Sequence, residues 1–142
     1  MAGLRLFDAT HRLLEVSLRA RAARHEVLSA NIANADTPGY RPRDIEFNAL
    51  MRAAVESAEG STGDTTPRAD RPVSAELDLQ SAIYQPEYPD SRHGEDRLDG
   101  NAVSLDRQMA LMTENSLGYE TSLTLLSRGL AALRYAIGEG RR

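Results

Sequence analysis

Cysteine and tryptophan are absent from this chain of 142 residues, and lysine is absent as well: all 17 basic residues are arginine. Without cysteine there is no disulfide, no thiolate nucleophile and no zinc–thiolate site, whichever redox compartment the chain occupies. Aromatic residues make up only 5% of the chain, two Phe and five Tyr, which is short of the large rings that a compact enzyme core of this size relies on. No run approaches the roughly 20 uncharged apolar residues that a transmembrane helix needs. Arg5, Asp8, Arg12 and Glu15 interrupt the region where a cleaved secretory signal would carry its apolar stretch, so none is expected. Neither a G-x-G-x-x-G turn nor a P-loop is present.

The net charge of -4 is unevenly spread. Residues 1–34 carry five Arg against three acids, residues 35–102 seven against fourteen, and residues 103–142 five against four. Two near-neutral ends flank an acidic, polar middle. Arg diluted by acids does not make the concentrated basic face that nucleic-acid binding requires, so no nucleic-acid partner is expected.

Both ends read as long helices, which makes the fold class mainly α. Residues 4–33 contain no proline, and alternate steps of four and three give Phe7, His11, Leu14, Leu18, Arg21, His25, Leu28 and Ile32. Five of these eight are apolar, which describes an amphipathic helix roughly 45 Å long with an imperfect coiled-coil seam. It must stop before Asp36-Thr37-Pro38-Gly39, where Pro38 disfavours helical geometry at Thr37 and Gly39 suits a turn. The same stepping from Leu105 gives Met109, Met112, Ser116, Tyr119, Leu123, Leu126, Leu130, Leu133 and Ile137, apolar at nine of ten positions. Ser104 is placed to cap this second long helix, and Gly138 and Gly140 to end it. Gly118 and Gly129 lie off the seam. Each costs about 1 kcal/mol in helix propensity, and each either admits a close neighbour or simply loosens the helix.

Between the ends, Asp44 is a candidate cap for a short helix with the face Phe47, Leu50, Met51, Ala54, Val55 and Ala58. Residues 57–72 contain two Ala and no larger apolar side chain, which predicts a mobile loop. Apolar residues at alternate positions from Val73 to Ile83 suggest a strand, with a helix as the other reading, and Asp99-Gly100-Asn101 a turn closing a small hairpin. The expected division is thus 1–34, 35–102 and 103–142, with the two end helices pairing in one discontinuous, coiled-coil-like α-domain. Two such helices alone would leave apolar surface exposed, and self-assembly is the natural completion.

Sites for chemistry are not apparent. His11 and His25 are fourteen residues apart, about 21 Å along a helix, too far to share a metal. Glu95–Asp106 has Gly100 in the sixth place of a calcium-type loop, but Arg97 stands where an oxygen ligand belongs. No paired acid and base set or activated serine is recognisable. An enzyme is not expected, and no catalytic residue, cofactor or metal is assigned.

The turn after the first helix carries a more specific signal. Ser29, Asn31, Ile32, Ala33, Asn34, Thr37, Gly39 and Tyr40 match the pattern S-x-N-[IL]-A-N-x-x-T-x-G-[FY], with Pro38 inside it. This resembles the N-terminal signature of the bacterial flagellar rod, hook and hook-associated axial proteins. The run from Gly100-Asn101 through Glu114-Asn115 and Tyr119 to Ser127-Arg128 is similar to the same family. Pro42, Gly118 and Gly129 depart from its usual pattern. An ordinary helix stop accounts for Asn, Pro and Gly singly, but not for eight matched positions together.

The resemblance implies a structural subunit of the proximal flagellar rod, exported from the cytoplasm by the flagellar type III gate without a cleaved signal, and located in the basal body across the periplasmic space. It implies as partners other copies of itself, the rod proteins FlgC, FlgF and FlgG, the junction protein FliE, the membrane-ring protein FliF and the export gate. Polymerisation would use the assembly seam Leu14, Leu18, Leu28, Ile32, Leu105, Met109, Met112, Tyr119, Leu123, Leu126, Leu130, Leu133 and Ile137. The alternative is a cytoplasmic coiled-coil adaptor or chaperone-like binding module, which would keep the heptads but have no use for the Asn-rich turn.

Overall fold

The computed structural model of the protein describes residues 2–59, 79–86 and 103–139. They form, in order, α1 (Ala2–Ala33), β1 (Asp44–Ile45), α2 (Phe47–Glu59), β2 (Ile83–Tyr84) and α3 (Leu105–Glu139). The long terminal helices pack against each other, and β1 and β2 make a two-stranded antiparallel ribbon with Asp44 opposite Tyr84 and Ile45 opposite Ile83. The mainly helical architecture with small β elements in the middle is therefore the one that the sequence indicates.

Local chemistry explains where the helices end. α1 stops at Ala33, and three tighter turns follow: Ala35, Thr37 and Tyr40 donate their N–H groups to the carbonyls of Ile32, Asn34 and Thr37. Gly39 takes a φ of 72°, which turns the chain at the end of this series. At the other long helix, the Gln108 N–H donates to the Ser104 carbonyl at 3.0 Å, so the first helical bond begins at the expected cap. α3 then runs one residue past Gly138.

The apolar core lies between α1 and the middle segment. Ala20, Ile45 and Leu50 are its buried members, with Ala23, Val27, Phe47, Leu79, Ala82 and Ile83 packed around them. Small side chains at Ala20 and Ala23 leave room on α1 for the ribbon and α2. A two-stranded ribbon is marginal alone, so this packing is what supports it.

Three local expectations change. Asp44 does not cap α2: the Glu46 carbonyl accepts the first helical bonds, from Ala49 and Leu50, because the Asp44 carboxylate is engaged by Arg24 of α1. The predicted strand over 73–83 is, in its described part, a turn at Leu79–Ala82 followed by the short β2. Leu79, Ala82 and Ile83 all pack on the core, and a straight strand would send Ala82 to the opposite face from the other two. α2 extends to Glu59, so the first three residues of the 57–72 stretch are helical. Residues 60–72 and the turn at 99–101 lie outside the described residues.

Contact between α1 and α3 has a different chemistry from the core. Its buried residues include Ser17 and Asn31 on α1 and Gln108, Asn115 and Ser122 on α3. The glycines answer the question that the sequence leaves open. A Cβ at Gly118 would land on the Arg21 guanidinium, and one at Gly129 would lie 3.0 Å from His11 Nε2. Both glycines admit side chains from α1. The apolar seam read from α3 is split: Met112, Leu126 and Leu133 are half-buried, whereas Leu105, Met109, Tyr119, Leu123, Leu130 and Ile137 are exposed.

Candidate functional site

Asn31 is fully buried at the end of α1, and all four hydrogen-bonding positions of its side-chain amide are used. Nδ2 donates to the Arg43 carbonyl at 2.6 Å and to Gln108 Oε1 at 2.9 Å. Oδ1 accepts from the Arg43 N–H at 3.0 Å and from the Tyr40 hydroxyl at 3.1 Å. One amide thus ties together α1, the chain leaving the turns at 34–40 (the elbow) and the first turn of α3. Asn34 acts locally, donating to the Ala30 carbonyl at 2.8 Å while Thr37 Oγ1 donates to its Oδ1 at 3.3 Å. Ser29 Oγ donates to the His25 carbonyl. Ile32 is half-buried, whereas Ala33, Pro38 and Gly39 are exposed.

Nothing lies within 4 Å of a Cβ built on Gly39, so a substitution there meets only the backbone penalty of a left-handed φ. We expect Gly39→Ala to lower the unfolding free energy by about 1–2 kcal/mol. Gly39→Asn should lose less, because Asn tolerates this conformation better. Equal losses for the two, measured by denaturant titration, would move the cost from φ to some other property of the position.

A second junction holds the middle segment to α1. Arg24 Nε and Nη2 donate to the two carboxylate oxygens of Asp44, each at 2.7 Å, and Asp44 Oδ1 also accepts the Ile45 N–H. The hydrogen bond from Asp44 raises the Arg24 pKa, against the opposing effect of burial. Arg21, one turn earlier, is lowered, first by burial and then by the neighbouring Arg24 charge. Its guanidinium lies 4.5 Å from the centroid of the Phe47 ring, a cation–π contact between α1 and α2. Burial, followed by the Asp44 charge, pushes the Tyr84 hydroxyl up.

The seam residues divide into two groups. Leu28 is buried, and Leu14, Leu18, Ile32, Met112, Leu126 and Leu133 are half-buried. Leu105, Met109, Tyr119, Leu123, Leu130 and Ile137 face outward, up to 70% exposed at Ile137, and are joined by Leu117, Leu125 and Tyr135. At 100° per residue the leucine-rich stripe lies roughly a quarter turn round α3 from the face that meets α1. That inner face was not anticipated from hydrophobicity. Its signal is the seven-residue spacing of Gln108, Asn115, Ser122 and Gly129, a heptad written in polar and small residues. Asn115 Nδ2 donates to the Arg21 carbonyl at 2.8 Å, and Ser17 and Ser122 share a hydrogen bond at 3.1 Å.

Among the described residues no group of three His, Cys, Asp or Glu is placed to hold a metal ion. No described helix is long and apolar enough to cross a membrane. The geometry offers joints and an exposed apolar stripe, which is the design of a subunit in an assembly.

Comparisons with known proteins agree. The family described as Flagella basal body rod protein matches residues 17–41, the second half of α1 and the elbow. The flagellar basal body rod protein FlgB of Escherichia coli K12 is 36% identical over 137 residues, covering 94% of this chain and 96% of its own. FlgB of Yersinia ruckeri is 34% identical over 139 residues with the same coverage, and that of Cereibacter sphaeroides 36% over 124 residues, 85% of this chain and 88% of its own. The chain belongs to the FlgB family of flagellar basal body rod proteins, which are structural proteins and not enzymes.

Proposed function

We propose that this protein polymerises into the proximal rod, the part of the drive shaft between the inner-membrane ring and the distal rod and hook, by burying the outward stripe of α3 against neighbouring subunits. The observation that carries this reading is the stripe itself. On a member of a rod family, Leu105, Met109, Tyr119, Leu123, Leu130 and Ile137 lie in solvent along more than thirty residues of one helix. Covering each of these large side chains contributes about 1.5–3 kcal/mol, and in this reading a neighbouring subunit provides the cover. The neighbours in this reading are further copies of the chain, the rod proteins FlgC, FlgF and FlgG, the junction protein FliE and the membrane-ring protein FliF. Subunits reach them from the cytoplasm through the flagellar type III export gate.

The test is a clean deletion rescued by plasmid-borne variants, scored by motility and by electron microscopy of basal bodies. The deletion should leave membrane rings without rod or hook, and the intact chain should restore them. Leu123→Glu with Leu130→Glu should not, although both residues are exposed and the isolated variant should keep its helicity. Complete basal bodies with the double variant would show that this stripe is not the assembly surface. Complete basal bodies in the deletion would remove the rod assignment for this chain.

A further inference from the structure

The face of α3 that meets α1 is poorly suited to holding two helices together by strength. Gln108 and Asn115 are each 1% exposed, yet Gln108 Nε2 and Asn115 Oδ1 have no hydrogen-bond partner among the described residues. A buried polar atom left unpaired opposes folding; leucine at 108 or 115 would remove that atom, at the cost of the bond to Asn31 or to the Arg21 carbonyl. The same helix presents leucine freely a quarter turn away, so the polar residues are not there for want of an apolar alternative.

What this face provides is discrimination. The pairs run antiparallel in one register: Asn31 with Gln108, the Arg21 carbonyl with Asn115, Ser17 with Ser122, and His11 against Gly129. A slip of one heptad takes Gln108 off Asn31 and Ser122 off Ser17. An apolar helix face laid on the same stripe would strand Gln108 Oε1 and Asn115 Nδ2 as well. Only α1 of this chain, in this register, meets the groups already paired.

We propose that Gln108 and Asn115 are the specificity determinants of the α1–α3 pair, fixing its register and excluding leucine-lined helices from that face. Stability is given up for selectivity, as a buried polar position does in coiled coils. This inference concerns the isolated chain and does not depend on what covers the outward stripe.

The absence of cysteine makes the test direct. In dilute protein, where bridges between chains can be separated by size, Ser17→Cys with Ser122→Cys reports the native register. Thr10→Cys with Ser122→Cys reports a slip of one heptad, since residues 10 and 17 are about 10 Å apart along α1, beyond what a disulfide spans in the native pair. The native background should close the first bridge at least about tenfold more than the second, because a polar layer penalises the wrong register. With Gln108→Leu and Asn115→Leu added, the slipped bridge should rise to within about threefold of the native one.

An unchanged preference in a helical double variant would overturn the proposal, and so would equal closure of both bridges in the native background. Circular dichroism checks that the double variant folds. If it does not, Gln108→Leu alone is read by the same ratio, with any retention of the full native preference counting against the proposal.

Discussion

Asp44→Ala is expected to destabilise the protein by about 3–5 kcal/mol, the cost of leaving the partner of a buried ion pair uncompensated. The Arg24 side chain is 15% exposed and that of Asp44 5%, so water cannot replace the lost carboxylate at both guanidinium nitrogens. The carboxylate also holds the Ile45 N–H at the start of the ribbon, so the effect should reach the contact between β1 and α1. Removing both charges should be milder. Arg24→Met combined with Asp44→Leu should recover much of the loss, since an apolar pair avoids the desolvation of two ions. Urea unfolding of Arg24→Met, Asp44→Leu and the double completes the cycle. Strictly additive losses would mean that the pair has no energetic coupling despite its geometry.

The second large effect is expected at Asn31. Asn31→Ala removes four hydrogen bonds at once and leaves Gln108 Oε1 and the Arg43 backbone groups without the partner they now have. We expect a loss of about 3 kcal/mol, since each buried polar group left unpaired costs about 1–3 kcal/mol and some of these can regain water. Tyr40→Phe removes one of the four bonds and should cost about 1 kcal/mol. Asn31→Asp keeps the acceptor but places a charge at a fully buried position, so it should do no better than Ala. Equal losses for Asn31→Ala and Tyr40→Phe in denaturant titrations would move the centre of the elbow from the amide to the ring.

These two junctions make the elbow more than a stop signal. Asn31 faces the first turn of α3, 77 residues further along the chain, and Asp44 ties the emerging strand back to α1. In the assembly proposed above, this elbow would set how the outward stripe of α3 is oriented relative to the middle segment. Loosening it should therefore harm rod assembly before it abolishes helicity.

How far each feature could be read from residues alone follows from the range of the interactions behind it. The ends of α1 and α3 rest on hydrogen bonds within four residues and on the restrictions of Pro38 and Gly39, so they were legible from the chain. Asn34 bonds four residues back, to the Ala30 carbonyl, whereas the partners of Asn31 stand twelve and 77 residues away and are beyond the reach of a local reading. The stretch from Val73 to Ile83 alternates like a strand, yet in its described part the core takes Leu79 and Ala82 from both faces, and Leu79–Ala82 is a turn.

The choice of face on α3 is the clearest case. Hydrophobic periodicity marks the stripe that gains most from leaving water, and it marked Leu123 and Leu130. It does not say whether the cover comes from the same chain or from another. That depends on the side chains α1 offers: Ser17, Arg21 and Asn31 match Ser122, Gly118 with Asn115, and Gln108 by shape and hydrogen bonding. Complementarity of this kind belongs to two surfaces jointly, and neither helix carries it alone.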